Sequence, residues 1–328
     1  MNRIYKHPPL NRFSAHRATG SGAGHSPIVI AIGSGKGGVG KSFVSSSIAI
    51  CLARMAYQVT VVDLDLGGAN IHTYFGNTGH NLSVSDFLKN RVENFQDLAY
   101  DTNIRNLKVV NGFSDSLDSA EISENERQKL MRAIRSLSTD VVILDLGAGT
   151  ANSTLDFFIE ADKSMLVLTP EPTAVENAYR FLKSSYYRKL RNSETDAGAQ
   201  KLIEEAMDQK NNLGIRSPAD LLSYLEANGH RESQQFLNRV RGMDVGILLN
   251  QVRAGKDIDT GRGVASISQR YFGIPIQYIG HVAYDNAVWQ SLRKKTPFII
   301  DNPSSPINNQ FLAIAKLILG PSTQKAVV

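Results

Sequence analysis

Ile28-Val29-Ile30-Ala31-Ile32, followed by Gly33-Ser34-Gly35-Lys36-Gly37-Gly38-Val39-Gly40-Lys41-Ser42, is the stretch that decides the fold. Its first five residues are apolar throughout and end at a glycine, as a strand buried on both faces does. From Phe43 the pattern turns helical. Between strand and helix, Gly35 to Ser42 supplies the spacing G-x-x-x-x-G-K-S, and that setting gives the spacing its meaning. Glycines let successive backbone N–H groups turn inward around phosphate oxygens, because no side chain blocks the approach. The helix that follows aims its positive end at the same point. Gly35, Lys36, Gly37, Gly38, Val39, Gly40, Lys41, Ser42 and Phe43 are therefore expected to hold a nucleotide, with Lys41 on the outer phosphates and the Ser42 hydroxyl on Mg²⁺. Lys36 is an extra cation. A lysine this early cannot easily fold onto its own nucleotide when Lys41 fills that role. Reaching outward, it would touch phosphates held by a facing copy and stabilise charge building there.

Working outward, Val61-Val62-Asp63-Leu64-Asp65 ends a second apolar run, and Val141-Val142-Ile143-Leu144-Asp145 ends another. In an open α/β sheet, ligands sit beyond the carboxyl ends of the strands, so these acids are expected beside the phosphate loop. Asp63 and Asp145 would each hold a water on Mg²⁺. Asp65 would orient a water for attack on the terminal phosphate, which makes Lys36, Lys41 and Asp65 the catalytic set. Gly67-Gly68-Ala69-Asn70 and Gly147-Ala148-Gly149 follow the acids, and Asn70 and Gly149 are expected to switch with the nucleotide.

Further apolar runs lie at residues 107–110, 165–168, 245–249 and 276–279, with amphipathic helical stretches between most of them. That alternation predicts an α/β fold of the P-loop NTPase kind, a mostly parallel twisted sheet with helices on both faces. The interval from Leu168 to Val245 is too long for one crossover. Residues 174–189, 199–208, 218–226 and 232–241 read as helical, so a helical insertion is expected over about 190–242. Residues 1–27 are basic and rich in Ser, Gly, His and Pro, which predicts a disordered arm ahead of one domain spanning 28–328.

Hydrophobic residues make up 42% and charged residues 20%, ordinary for a globular protein. A net charge of +5 permits an anionic partner without arguing for one. Cys51 is the sole cysteine, which excludes an internal disulfide and any cysteine pair for a cluster or zinc, and fits a reducing cytoplasm. The histidines are scattered without metal-ligand spacing. No apolar run approaches the ~20 residues needed to cross a bilayer, and the first residues lack the apolar core of a secretory signal. A cytoplasmic protein is expected, with peripheral contact to the inner membrane as an option. Residues 311–319 form an apolar stretch expected to pack on the domain rather than enter a membrane. Trp289 is expected in the core, with stacking on a base as the alternative. Tyr186 and Tyr187 are expected to pack, and Arg180, Arg188, Lys189 and Arg191 to form a solvated face.

Gly35 to Ser42 with its second lysine, Asp63-Leu64-Asp65 and Asn70 together resemble the MinD/ParA ATPases. The resemblance implies an ATP- and Mg²⁺-dependent sandwich homodimer in which Lys36 acts across the interface. It also implies that Asp65 is the water-orienting residue of the first switch, that Asp145 is the acid of the second, and that Asn250, in Leu248-Leu249-Asn250-Gln251-Val252-Arg253, reads the adenine. Three stretches are similar to the flagellar site-determining (FlhG, FleN or YlxH) members. They are Asp65 to Ile71 with Phe75-Gly76, Asp145-Leu146-Gly147-Ala148-Gly149, and Thr169-Pro170-Glu171-Pro172-Thr173-Ala174 with Asn177-Ala178-Tyr179. The likeness runs over roughly 28–189 and resumes weakly over 245–297. It implies a slow, partner-stimulated ATPase that positions a cellular assembly, flagellar or polar, with the partner docking on the dimer surface or the insertion. The competing reading is a ParA-like ATPase that binds DNA non-specifically. An iron–sulfur carrier would need paired cysteines and a protein-tyrosine kinase a tyrosine-rich tail; the sequence has neither. The arm also lacks the Asp-Gln-Ala motif of the flagellar members, and the C-terminus lacks the basic amphipathic helix that anchors MinD to membranes.

Overall fold

Strand β1 (Ile28–Ser34) has no wet face: Val29 and Ala31 enter one apolar cluster, Ile30 and Ile32 the other. The same alternation runs through β2 (Val59–Leu64), with Val62 and Leu64 on one side and Val59 and Val61 on the other. Strands buried this way must lie inside a sheet covered on both sides. The computed structural model describes residues 26–65, 71–75, 82–112, 122–193, 215–227 and 242–320, and within these the remaining strands are β3 (Tyr100–Asp101), β4 (Leu107–Val110), β5 (Val141–Ala148), β6 (Lys163–Leu168), β7 (Val245–Val252) and β8 (Ile276–Ala283). They form one sheet of order β3-β4-β2-β5-β1-β6-β7-β8, parallel except for the short β3–β4 pair. Every run expected from the sequence is a strand. Two-residue β3 is the addition, too short to carry a period.

The helices in chain order are α1 (Lys41–Arg54), α2 (Ile71–Tyr74), α3 (Val84–Leu88), α4 (Glu124–Arg135), α5 (Asn152–Glu160), α6 (Pro172–Ser193), α7 (Pro218–Ala227), α8 (Gly255–Phe272), α9 (Asn286–Arg293), α10 (Phe298–Asp301) and α11 (Pro306–Leu319). Leu130 and Ile134 of α4, Phe158 of α5, Phe181 and Tyr186 of α6 and Phe272 of α8 cover one face of the sheet. Val44 and Ile48 of α1 and Phe311 and Ile314 of α11 cover the other. Helix α1 is buried almost all round, because it lies between the sheet and α11. Phe43 meets the rings of Phe298 and Phe311 edge-on, with centroids 5.8 and 5.3 Å away. The apolar stretch at 311–319 therefore packs on the domain, as expected. Tyr186 is fully buried, also as expected. Among the described residues no helix is long and apolar enough to cross a membrane. Of the expected insertion, residues 190–193, which end α6, 215–227 and 242 are described, and Leu221 and Leu222 of α7 join the core. The stretches at 199–208 and 232–241, and the arm up to residue 25, lie outside the described residues.

One face carries a buried ionic cluster. Arg127 of α4, with a side chain only 5% exposed, pairs with Glu124 and with Asp156 and Glu160 of α5. Arg188 of α6 grips both oxygens of the same Asp156 at 2.5 and 2.6 Å and donates to Asn152 Oδ1 at 2.7 Å. Arg188 is thus not on a solvated face. Its planar fork matches a carboxylate that burial would otherwise leave uncompensated. Lys189 likewise donates to the Ile159 carbonyl, whereas Arg180 stays exposed beside Glu176. The cluster ties α4, α5 and α6 together. Arg127→Ala, which removes one of the two guanidinium partners of the buried Asp156, is expected to lower unfolding free energy by about 3 kcal/mol in urea titration. A loss well under 1 kcal/mol would show the cluster to be idle.

Candidate functional site

The phosphate loop leaves β1 and enters α1 through Gly38 and Gly40, whose φ angles of +79° and +89° lie in the left-handed region that side chains resist. A methyl built on Gly37 or Gly38 would meet nothing within 4 Å, so the loop opens on a clear concavity at the amino end of α1. Lys41, the first residue of that helix, is buried. Ser45 Oγ donates to Asp145 Oδ1 at 2.7 Å, and the Ser42 hydroxyl stands near enough to favour the same carboxylate.

Asp63 and Asp145 are direct neighbours across β2 and β5. Asp63 accepts the backbone N–H groups of Asp65 and Ile71, each at 3.0 Å. Burial raises the pKa of both carboxyls well above the ordinary range. The charge of Asp145 raises that of Asp63 further, while Ser42, Ser45 and Lys41 pull Asp145 back down. Asp65 reaches the carboxyl end of β5, where a methyl on Gly147 would lie 3.3 Å from its Oδ1. Gly149, with φ +87°, donates its N–H to the Ser34 carbonyl at 2.9 Å. The fold thus brings Lys41, Ser42, Asp63, Asp65, Asp145 and Gly149 to one crevice. Asn70, also expected there, lies outside the described residues. The crevice fits a nucleotide with its magnesium ion: open backbone and Lys41 on one wall, and on the other an acid pair that lacks a full counter-charge.

Helix α6 walls the crevice. A methyl on Gly35 would sit 2.1 Å from the Asn177 carbonyl oxygen, so at Gly35 loop and helix meet backbone to backbone. That contact places the start of α6 beside Lys36, whose Nζ lies 3.1 Å from Thr173 Oγ1 and 3.4 Å from Glu171 Oε2. Lys36 is expected to act on a facing copy; in the single chain it rests, exposed, on this pair. The stretch Thr169 to Ala174 was legible only as a family likeness; its local meaning is this contact. Ser45 was missed, although it stands one turn after Ser42.

A cavity of about 760 Å³ continues from Gly38, Gly40 and Phe43 to Tyr74, Asn250, Gln251 and the segment from Ala283 to Leu292. Phe43, whose ring packs in the core, is among its lining residues. Asn250 lines the cavity, but its Nδ2 donates to the Val39 carbonyl at 2.8 Å, which binds it to the phosphate loop. Trp289 lines the same cavity and is 61% exposed, which overturns its expected place in the core. Periodicity marks α9 as amphipathic but cannot tell a core from a cavity mouth.

Residues 26–190 match the ParA family model, described as the NUBPL iron-transfer P-loop NTPase. The antiactivator FleN of Pseudomonas aeruginosa is 24% identical over 90% of this chain and 88% of its own length. The flagellum site-determining protein YlxH of Helicobacter pylori is 32% identical over 47% of this chain and 52% of its own length. The septum site-determining protein MinD of Pyrococcus horikoshii, solved with Mg-ADP, shares the fold at a TM-score of 0.58 and 18% identity, covering 88% of this chain and 94% of that one. If the contact at Asn177 is what sets the loop, Gly35→Ala is expected to weaken ADP binding at least about tenfold in calorimetry while the thermal midpoint moves little. Unchanged affinity would show that the loop and α6 part freely.

Proposed function

Because this chain belongs to the ParA family of P-loop NTPases, we propose that it is a switch ATPase that dimerises with ATP and positions or regulates a cellular assembly. Similarity to FleN and YlxH supports flagellar or polar placement as that task. The observation that carries the reading is the pair of lysines on one loop, Lys41 buried inside the crevice and Lys36 exposed at its rim. Gly35 to Phe43 would cradle the phosphates, Ser42 would ligate the ion, and Asp63 and Asp145 would hold its waters. Magnesium, when bound, supplies positive charge to the phosphate oxygens. Asp65 would hold a water against the terminal phosphate; its neighbour Gly147 stands two residues before Gly149, which donates to the Ser34 carbonyl at the end of β1. In the closed dimer Lys36 leaves Glu171 and Thr173 for the partner's triphosphate. An exposed ion pair is worth at most about 1 kcal/mol, so the exchange costs little. The exposed dimer surface, or the insertion, would then receive a protein partner.

Iron transfer, named in the family description, finds no support in this sequence. Cys51 is its sole cysteine, buried in α1, and burial pushes its thiol up to about 11. A DNA-partition role would instead show as salt-sensitive binding of random DNA that requires ATP.

A dimer-dependent ATPase gains specific activity as its concentration rises, and that rise is the expected result. Lys41→Ala is expected to abolish ATP binding. Lys36→Ala is expected to bind ATP within about threefold of the parent, a change under 1 kcal/mol, yet to lose turnover. Turnover by Lys36→Ala at the parent rate, independent of concentration, would refute the switch.

A further inference from the structure

Strand β7 ends irregularly beside the phosphate loop. Leu249 pairs with His281 of β8 and Val252 with Ala283, so Asn250 and Gln251 together stand opposite Val282 alone. That is a β-bulge, rare in a parallel pair and frequent next to active sites, where it re-aims a side chain. Gln251 carries the bend at φ +60°, in the left-handed region that a residue with a side chain enters only at a cost. In a regular strand Asn250 and Gln251 would point to opposite faces. Here both reach the phosphate loop. Asn250 Nδ2 donates to the Val39 carbonyl at 2.8 Å, and Gln251 Nε2 donates to the Gly38 carbonyl at 3.4 Å. Asn250 is buried, and a methyl on Gly40 would collide with its amide, so the loop lies directly against this end of β7.

The chain has no cis peptide bond among the described residues, and in a trans peptide the N–H points opposite to the C=O. The Gly38 carbonyl shares its peptide plane with the Val39 N–H, and the Val39 carbonyl shares its plane with the Gly40 N–H. Holding both carbonyls toward β7 therefore turns these two N–H groups away from it. Glycines at 38 and 40 leave the planes easy to rotate, and a flipped plane would offer an anion an oxygen in place of an N–H. We propose that Gln251, together with Asn250, is a positioning residue for phosphate binding. Their two amides fix consecutive peptide planes, so that the N–H groups of Val39 and Gly40 stay turned toward the phosphates. The inference rests on the nucleotide site proposed above. It concerns the loop and not the base, so its effect falls on any ligand that carries phosphates. The strained backbone of Gln251 fits this role, since strain persists where the surrounding structure over-determines it.

Gln251→Gly removes the donor and also relieves the backbone, so its effects on binding and on stability are expected to part. The probes are magnesium pyrophosphate and Mg-ADP, each titrated by calorimetry. Gln251→Gly is expected to weaken both by the same factor, about fivefold, as the loss of one hydrogen bond does, while the thermal midpoint without ligand holds or rises. Gln251→Met, which keeps the length of the side chain but not the donor, is expected to show the same loss of affinity. Affinity and midpoint falling together in Gln251→Gly would mark a purely structural role and overturn the proposal. Parent affinity in both variants would also overturn it and leave the nucleotide site standing. A loss confined to Mg-ADP, with pyrophosphate unchanged, would assign Gln251 to the base and overturn it too. If the parent chain binds neither probe, the nucleotide site falls and this proposal with it.

Discussion

Two acids buried side by side set the terms for everything around them. Asp63 and Asp145 lie on adjacent central strands, shut away from water, and burial makes their charge costly. Backbone N–H groups, two serine hydroxyls and Lys41 meet part of that cost. A hydrated divalent ion is the chemistry that meets the rest, since oxygen ligands and retained waters are what magnesium prefers. Opposite the acids, the glycine loop and the amino end of α1 want an anion. One wall for a cation and one for a phosphate describe a site for a magnesium nucleotide, and the parallel sheet delivers both to the same edge.

The rim of that site is built by close approach rather than by strong bonds. Gly35 admits the backbone of α6, and the first turn of α6 then offers Glu171 and Thr173 to Lys36. An exposed pair of this kind is weak and easily exchanged. In the proposed cycle Lys36 is held between two anionic sites, a carboxylate in its own chain and a triphosphate in a facing one. The nucleotide decides which site prevails. Behind this rim the cluster of Arg127, Asp156 and Arg188 links α4, α5 and α6.

Much of this was legible in the sequence for a simple reason. Strands buried on both faces are written as unbroken apolar runs, and an acid at the end of such a run must emerge at the ligand edge. Lys41, Ser42, Asp63, Asp65 and Asp145 follow from that rule with the glycine spacing. What was not legible depends on partners distant in sequence. Arg188 looked solvated because Asp156 lies 32 residues away. The bond from Asn250 to the Val39 carbonyl, across 211 residues, was likewise invisible in the sequence. Trp289 looked like core because exposure is a tertiary property that no local period records. Lys36 could be singled out, but not its resting place on Glu171 and Thr173.

The central claim is that a triphosphate, and not a diphosphate, joins two copies of this chain. The most direct test is the mass in solution, by light scattering, of the Asp65→Ala chain with Mg-ATP and with Mg-ADP. The account predicts a mass near twice that of one chain with ATP and near that of one chain with ADP. A single-chain mass in both states, with calorimetry showing ATP bound, would contradict it.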